Sequence, residues 1–289
     1  MNKEIWTIGR ILQWTEQYFS DKGVDTPRLD GEILLSHILG KERIYLYTHY
    51  DQPLEKEELD RYRPLVISRA KGHCVASLVG YKDFMGLSFK VNGDVLIPRP
   101  DTETLVEGIL SAYDNQMEGS ILDVCTGPGT ILLSLLHYMP HMRGVGLELS
   151  PKALALAQAN ADQLGLADRV DLRESDMFAA LAPHESFDLI LSNPPYITSE
   201  EMKTLSADVL NEPSMALWGG EDGLDFYRIL AKEARNYLKA GGLLAMEIGQ
   251  GQEESVTQLL QAEGIYEDIS YWKDLASINR VVLAKKVNL

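Results

Sequence analysis

A carboxamide, two prolines and an aromatic ring stand together at Asn193-Pro194-Pro195-Tyr196, directly after the apolar run Phe187 to Ser192. The prolines lack N–H donors and hold φ near about −65°, so a strand must stop here and the backbone stays rigid. The Asn193 side-chain oxygen and the Pro194 carbonyl are two acceptors, which suits a planar –NH2 carrying two donors. Tyr196 offers a face on which the flat group bearing that nitrogen can stack, with Pro195 completing the corner. Asn-Pro alone is also ordinary turn chemistry. All four residues after a buried strand point to a substrate site in which Asn193, Pro194 and Tyr196 act on an amide-like nitrogen.

A second constellation lies upstream. Cys125-Thr126-Gly127-Pro128-Gly129 forms a glycine-containing loop after the run Ile121 to Val124, where the backbone can approach a ligand closely. Glu148 ends the next strand, where an acidic side chain can accept from two ribose hydroxyls. Dinucleotide enzymes share this plan, but their third glycine, which packs the helix on the strand, is Leu132 here. Asp123 before the loop and Asp176 after the third strand suit a cofactor with cationic and amine groups, and S-adenosylmethionine has both. On this reading Asp123 orients the loop and the amino acid end. Asp176 accepts from the adenine amine, Met177 or Phe178 covers the ring, and Asn193 borders cofactor and substrate alike. Cys125, with no histidine adjacent in sequence, reads as a small loop residue rather than a nucleophile. Arg99, stiffened between Pro98 and Pro100, can hold a substrate carboxylate or make an ion pair.

The elements that must position these groups alternate from Ser120 onward. Strands are expected at Ile121–Val124, Arg143–Leu147, Val170–Arg173, Phe187–Ser192 and Gly242–Ile248, with helices between them. Ser150-Pro151 caps one helix and Gly165 follows it. Two last runs, Tyr266–Trp272 and Ile278–Ala284, lie too close for a crossover helix and should pair antiparallel at the sheet edge. The pattern predicts an α/β fold, a doubly wound Rossmann-like sheet of seven strands. Residues 1–74 read as helices alone, a small bundle with Pro64 kinking one of them. A β-hairpin linker over 75–98 is expected, with Leu78–Gly80 as one strand and Leu87–Val91 before Asn92-Gly93 as the other. Asp101 or Thr102 should cap the helix that opens the domain over 99–289.

The chain has 289 residues, 45% hydrophobic and 24% charged, and a formal net charge of −16. Such a surface repels phosphate backbones, so nucleic acid is not expected as a direct partner. Two cysteines without CxxC spacing give neither a disulfide framework nor a zinc site, and no metal is expected. The absence of a signal-like core or a long apolar span predicts a cytoplasmic protein with no membrane contact.

These residues resemble the release-factor glutamine methyltransferases, the HemK or PrmC family. The likeness covers nearly the whole chain. It includes Arg28 to Leu35, the arm Ile97-Pro98-Arg99-Pro100-Asp101-Thr102-Glu103, the Asp-x-x-Thr-Gly-x-Gly loop and Asn193 to Tyr196. Glu212-Pro213, Gly219-Gly220 and Glu247-Ile248-Gly249 also match. Cys125 stands where the family usually has glycine, Glu148 where it has aspartate, and Met177 where tryptophan is frequent. The resemblance implies methylation of the glutamine in the Gly-Gly-Gln loop of peptide-chain release factors, with S-adenosylhomocysteine as product. It also implies a helical domain that helps hold the factor; a monomer is expected. Asn-Pro-Pro-Tyr is shared with enzymes that methylate base amines, so a nucleic-acid or ribosomal-protein target remains an alternative. A non-catalytic cofactor-binding regulator is a third reading.

Overall fold

A computed structural model describes residues 5–288; Met1–Glu4 and Leu289, at the ends of the two expected domains, lie outside the described residues. The chain divides into two compact units. One comprises residues 1–81 and 206–211, the other 82–205 and 212–289. The sequence reading drew its boundary after residue 74 and did not anticipate that six residues of a distant loop join the helical unit.

The helical unit is built from α1 (Ile8–Asp21), α2 (Pro27–Leu39), α3 (Arg43–Thr48), α4 (Lys56–Arg69) and α5 (Val75–Val79). Ile8, Leu12 and Phe19 of α1 face Leu34, Leu35 and Ile38 of α2 and Tyr62 and Val66 of α4 in one apolar core. That spacing of three and four residues is what an amphipathic helix requires. Pro27 takes the first helical position of α2, where its missing N–H costs nothing, and Gly40 ends the helix in the left-handed conformation. Thr26, which precedes α2, donates its hydroxyl to the Asp30 carboxylate and accepts from no backbone amide of the helix. Arg69 joins Asp30 in a buried ion pair, and residues 206–211 enter this unit through Asp208, 2.9 Å from the Arg69 guanidinium.

The larger unit contains a two-stranded hairpin and a seven-stranded sheet. The hairpin pairs β1 (Tyr81–Phe84) with β2 (Leu87–Lys90). Leu78 belongs to α5, and the turn is Met85-Gly86 rather than Asn92-Gly93. Both turn residues are left-handed, with φ of 52° and 71°, the geometry that matches strand twist in a two-residue loop. Next come α6 (Pro100–Ala112), β3 (Gly119–Val124), α7 (Thr130–Tyr138), β4 (Met142–Glu148), α8 (Pro151–Leu164), β5 (Val170–Glu174) and β6 (Phe187–Ser192). A long loop carries two one-turn helices, α9 (Ser199–Met202) and α10 (Ala207–Leu210), the latter in the helical unit. The chain closes with α11 (Asp225–Tyr237), β7 (Leu238–Glu247), α12 (Glu253–Ala262), β8 (Tyr266–Lys273) and β9 (Asn279–Lys286).

The sheet order is β5-β4-β3-β6-β7-β9-β8, parallel except for β9, which runs antiparallel to both β7 and β8. The final pair is antiparallel, as expected, but it is β9 that inserts beside β7 and leaves β8 at the edge. β3 and β6 bury Ile121, Leu122, Leu189 and Ile190 completely, because helices cover both faces. α7 is buried over every position from Thr130 to Leu136. Truncating a residue such as Leu132 to alanine is worth roughly 2–5 kcal/mol at such a site. The chain runs outward from β3 to β5 and then returns to β6 on the other side of β3. This reversal opens a crevice at the C-terminal ends of β3 and β6, the place where such sheets take their ligands.

Candidate active site

Residues from seven segments, the long loop at Pro213 to Trp218 and Phe226 of α11 among them, meet in that crevice around one cavity of about 240 Å³. Cys125, Thr126, Gly127 and Pro128 line it from the loop after β3, and Glu148 from the end of β4. Asp176 and Met177 line it after β5, Asn193 and Pro195 after β6, and Arg99 and Thr102 from the start of α6.

The loop after β3 is fixed by its own polar groups. Thr126 donates its amide to the Leu147 carbonyl at 3.0 Å and its hydroxyl to Asp123 Oδ2 at 2.6 Å. Asp123 is therefore an anchor beneath the loop: it is fully buried and does not line the cavity, contrary to a direct role at a ligand's amino acid end. Burial raises its pKa to about 7 against the opposing pull of Thr126. Gly129 likewise does not line the cavity; at φ 83° it opens α7, and a Cβ there would meet Leu133 at 2.9 Å. Cys125 takes φ 62°, a left-handed backbone that costs a residue with Cβ. Burial raises the Cys125 pKa, so its thiol stays neutral and is no nucleophile.

Glu148 binds the loop as well as facing the cavity. Its Oε2 accepts from the Gly127 amide and its Oε1 from the Ser150 amide, both at 2.9 Å. After β5, Met177 turns its side chain into the cavity from a left-handed backbone, φ 48°, and its sulfur lies 3.8 Å from the Cys125 sulfur. Phe178 points away from the cavity. It stacks on Tyr237 with ring centroids 5.5 Å apart, so of the two candidates for covering a flat ligand only Met177 is placed for it.

At the diproline corner Asn193 Nδ2 donates to Thr102 Oγ1 at 3.2 Å. Among the described residues none donates to Asn193 Oδ1 or to the Pro194 carbonyl. Pro194 and Pro195 are both buried and only Pro195 lines the cavity, while Tyr196 packs against the apolar layer that includes Tyr227 and Leu230 of α11. The loop residue Gly219 lies against this corner so closely that a Cβ would meet the Pro195 oxygen at 2.7 Å. Arg99 holds Glu212 Oε1 at 2.7 Å, and Glu212 Oε2 accepts from the Ile97 amide at 3.2 Å. It is thus committed to a partly buried ion pair. Glu148 and Asp176 bring carboxylates to the wall, where Arg99 is the one cation among the described residues. Such a wall suits a positively charged ligand and disfavours a pyrophosphate.

Residues 10–80 match a family model described as the PrmC N-terminal domain, and residues 101–221 one described as the methyltransferase small domain. The release factor glutamine methyltransferase of Geobacter sulfurreducens is 44% identical over 280 residues, spanning 96% of each chain. That of Moorella thermoacetica is 42% identical over 278 residues, spanning 96% of this chain and 98% of its own. The chain belongs to the release factor glutamine methyltransferase family. Its fold is shared more widely. A methyltransferase from Pyrococcus furiosus superposes with a TM-score of 0.53 at 16% identity, covering 78% of this chain and 98% of its own.

As a release factor glutamine methyltransferase family member, the chain carries three residues at the site to which sequence reasoning gave no role there. Thr102 was expected as a helix cap, yet α6 starts at Pro100 and the Thr102 hydroxyl serves Asn193. Glu212 and Glu247 were noted only as matching positions. For Glu247 the available signal was an acidic residue between Met246 and Ile248 in an apolar strand, since a buried carboxylate needs partners; Glu212, between Asn211 and Pro213, carried no such signal. The partners themselves lie more than fifty residues away and were not readable.

Proposed function

We propose that this protein transfers a methyl group to the side-chain amide nitrogen of the glutamine in the Gly-Gly-Gln loop of peptide-chain release factors. The observation that carries this reading is the pair of acceptors without protein donors, Asn193 Oδ1 and the Pro194 carbonyl, beside a cavity with a carboxylate-bearing wall. A substrate –NH2 has two N–H groups to place, and two fixed acceptors orient it.

S-adenosylmethionine, when bound, supplies a methyl group on a positively charged sulfur. The residues present fit that group: Glu148 would hold the ribose hydroxyls, Asp176 the adenine amine, and Gly127 and Pro128 the backbone approach, with Met177 against the ring. An amide nitrogen is a weak nucleophile because its lone pair is delocalised into the carbonyl. As positive charge develops on that nitrogen, Asn193 and Pro194 stabilise it with dipoles already in place. Holding the nitrogen in line is worth on the order of 7–11 kcal/mol in favourable cases. Pro195 seals one side of the corner against water, and Tyr196 supports it from behind. Arg99 and Glu212 hold the arm that forms the opposite wall.

The helical unit is the part we assign to holding the release factor, and Trp14, Ile44 and Tyr47 on it are exposed apolar side chains of the kind docking uses. Among the described residues no helix is long and apolar enough to cross a membrane. The test is incubation with labelled S-adenosylmethionine and purified release factor, followed by mass spectrometry of the product. Label on the glutamine of the Gly-Gly-Gln loop is the expected result. Label confined to a ribosomal protein or to nucleic acid would overturn the assignment.

A further inference from the structure

Glu247 ends β7 one step beyond the last paired positions of β6 and β7, where Ser192 lies opposite Met246. The parallel register therefore brings Glu247 beside Asn193. The carboxylate is 1% exposed, and its Oε2 has no hydrogen-bond partner among the described residues. Leaving a buried charged oxygen unsatisfied is costly, and an apolar residue of the same size would pack there without that cost.

Its neighbours show what the carboxylate acts on. Thr102 and Asn193 are the neighbouring polar side chains that favour its charged form. Thr102 Oγ1 already accepts from Asn193 Nδ2 at 3.2 Å, so the hydroxyl proton of Thr102 must be placed elsewhere, and Glu247 is the acceptor within reach. The polarity then runs one way, from amide to hydroxyl to carboxylate, and the Asn193 oxygen is left facing the cavity. We propose that Glu247 is a positioning residue for methyl transfer, fixing through Thr102 which end of the Asn193 carboxamide meets the substrate nitrogen. This rests on the reading of Asn193 as the acceptor for the substrate amide.

The charged and titratable groups that face Glu247 are Asp101 from α6, Tyr196 from the corner, Tyr227 from α11 and Arg280 from β9. Arg280 is shared with Asp101 at 3.1 Å and Asp274 at 3.0 Å, which dilutes its hold on Glu247. Burial, the largest influence, raises the Glu247 pKa to about 7. A protonated Glu247 becomes a donor, the Thr102 hydroxyl is released to turn toward Asn193 Oδ1, and the preference for one amide orientation is lost. Turnover should therefore fall as pH drops through that value.

The test compares the full-length wild type with Glu247→Leu, Glu247→Gln and Asn193→Ala, using purified release factor and S-adenosylmethionine from about pH 6 to about pH 9. Glu247→Leu should lower kcat roughly tenfold or more, with KM for release factor and Kd for S-adenosylmethionine within about twofold of wild type. Glu247→Gln keeps an acceptor for Thr102, so it should recover much of that loss while removing the acid-side fall in kcat. Wild-type kcat in Glu247→Leu overturns the inference. So does a Glu247→Gln profile that follows the wild type through pH 7, and this arm decides the matter if Glu247→Leu does not fold. An inactive Asn193→Ala beside a normal Glu247→Leu sinks this inference alone. An active Asn193→Ala sinks the reading of the site and this inference with it.

Discussion

The Glu148 carboxylate accepts from the Gly127 amide at 2.9 Å, so the end of β4 and the glycine loop after β3 are one rigid piece. The same carboxylate accepts from the Ser150 amide, at the N-terminus of α8. Charge-assisted bonds of this kind set loop geometry as well as ligand affinity. Glu148→Ala should raise Kd for S-adenosylmethionine by roughly 10–100-fold, and Glu148→Gln by less, because one acceptor oxygen survives. Titration calorimetry on the free protein measures this directly. An unchanged Kd in Glu148→Ala would remove Glu148 from the cofactor site.

Asn193 makes the opposite kind of contribution. Its oxygen has no donor among the described residues; if it takes the substrate amide as proposed, Asn193→Ala should leave cofactor affinity nearly intact and reduce methyl transfer by roughly 100-fold or more. Single-turnover rates with saturating cofactor separate the two effects. Near-normal turnover in this variant would show that the substrate amide is held elsewhere.

Arg99 and Glu212 join the arm before α6 to the far end of the long loop, 2.7 Å apart. Removing the arginine takes one partner from a carboxylate whose side chain is 6% exposed. Arg99→Ala should destabilise the larger unit by roughly 1–3 kcal/mol, and adding Glu212→Gln should restore part of the loss, because a neutral amide tolerates burial better. Urea titrations of the four proteins in the cycle give the coupling. Additive effects would mean that the pair contributes little.

Asp123 gives a pH dependence of stability. Burial holds its carboxyl at about 7 in the folded protein, whereas an unfolded aspartate titrates near 3.8. Between these values the folded state binds more protons than the unfolded one. The contribution of Asp123 to stability is therefore fully present below about pH 4 and is lost as pH rises through about 7. Asp123→Asn keeps an acceptor for Thr126 without the buried charge. Its stability advantage over the wild type should grow from about pH 4 to about pH 7, reaching the order of a few kcal/mol. Thermal denaturation in a pH series checks the sign, and parallel curves for the two proteins would contradict it.

Much of this molecule was legible without coordinates. Helical and strand periods differ, and glycine and proline punctuate them, so all seven strands of the main sheet and the helices between them follow from local pattern. The loop at Cys125–Gly129 and the corner at Asn193–Tyr196 fall at strand ends for the same reason, and the chain order of β3 to β6 brings both into one crevice. Where the pattern was short, it misled. Leu78–Gly80 finishes a helix, because five residues carry too few periods to tell helix from strand.

The sequence by itself determined the alternation of elements, the position of each chemically distinctive loop, and through family resemblance the reaction. Only the tertiary structure decided which way individual side chains turn: Met177 toward the cavity and Phe178 onto Tyr237, Asp123 beneath the loop, Tyr196 against the apolar layer that includes Tyr227 and Leu230 of α11. It also decided that Glu247 stands behind Asn193. Period and punctuation are properties of neighbours along the chain, whereas these orientations depend on strand register and on packing between segments far apart in sequence, which no local pattern encodes.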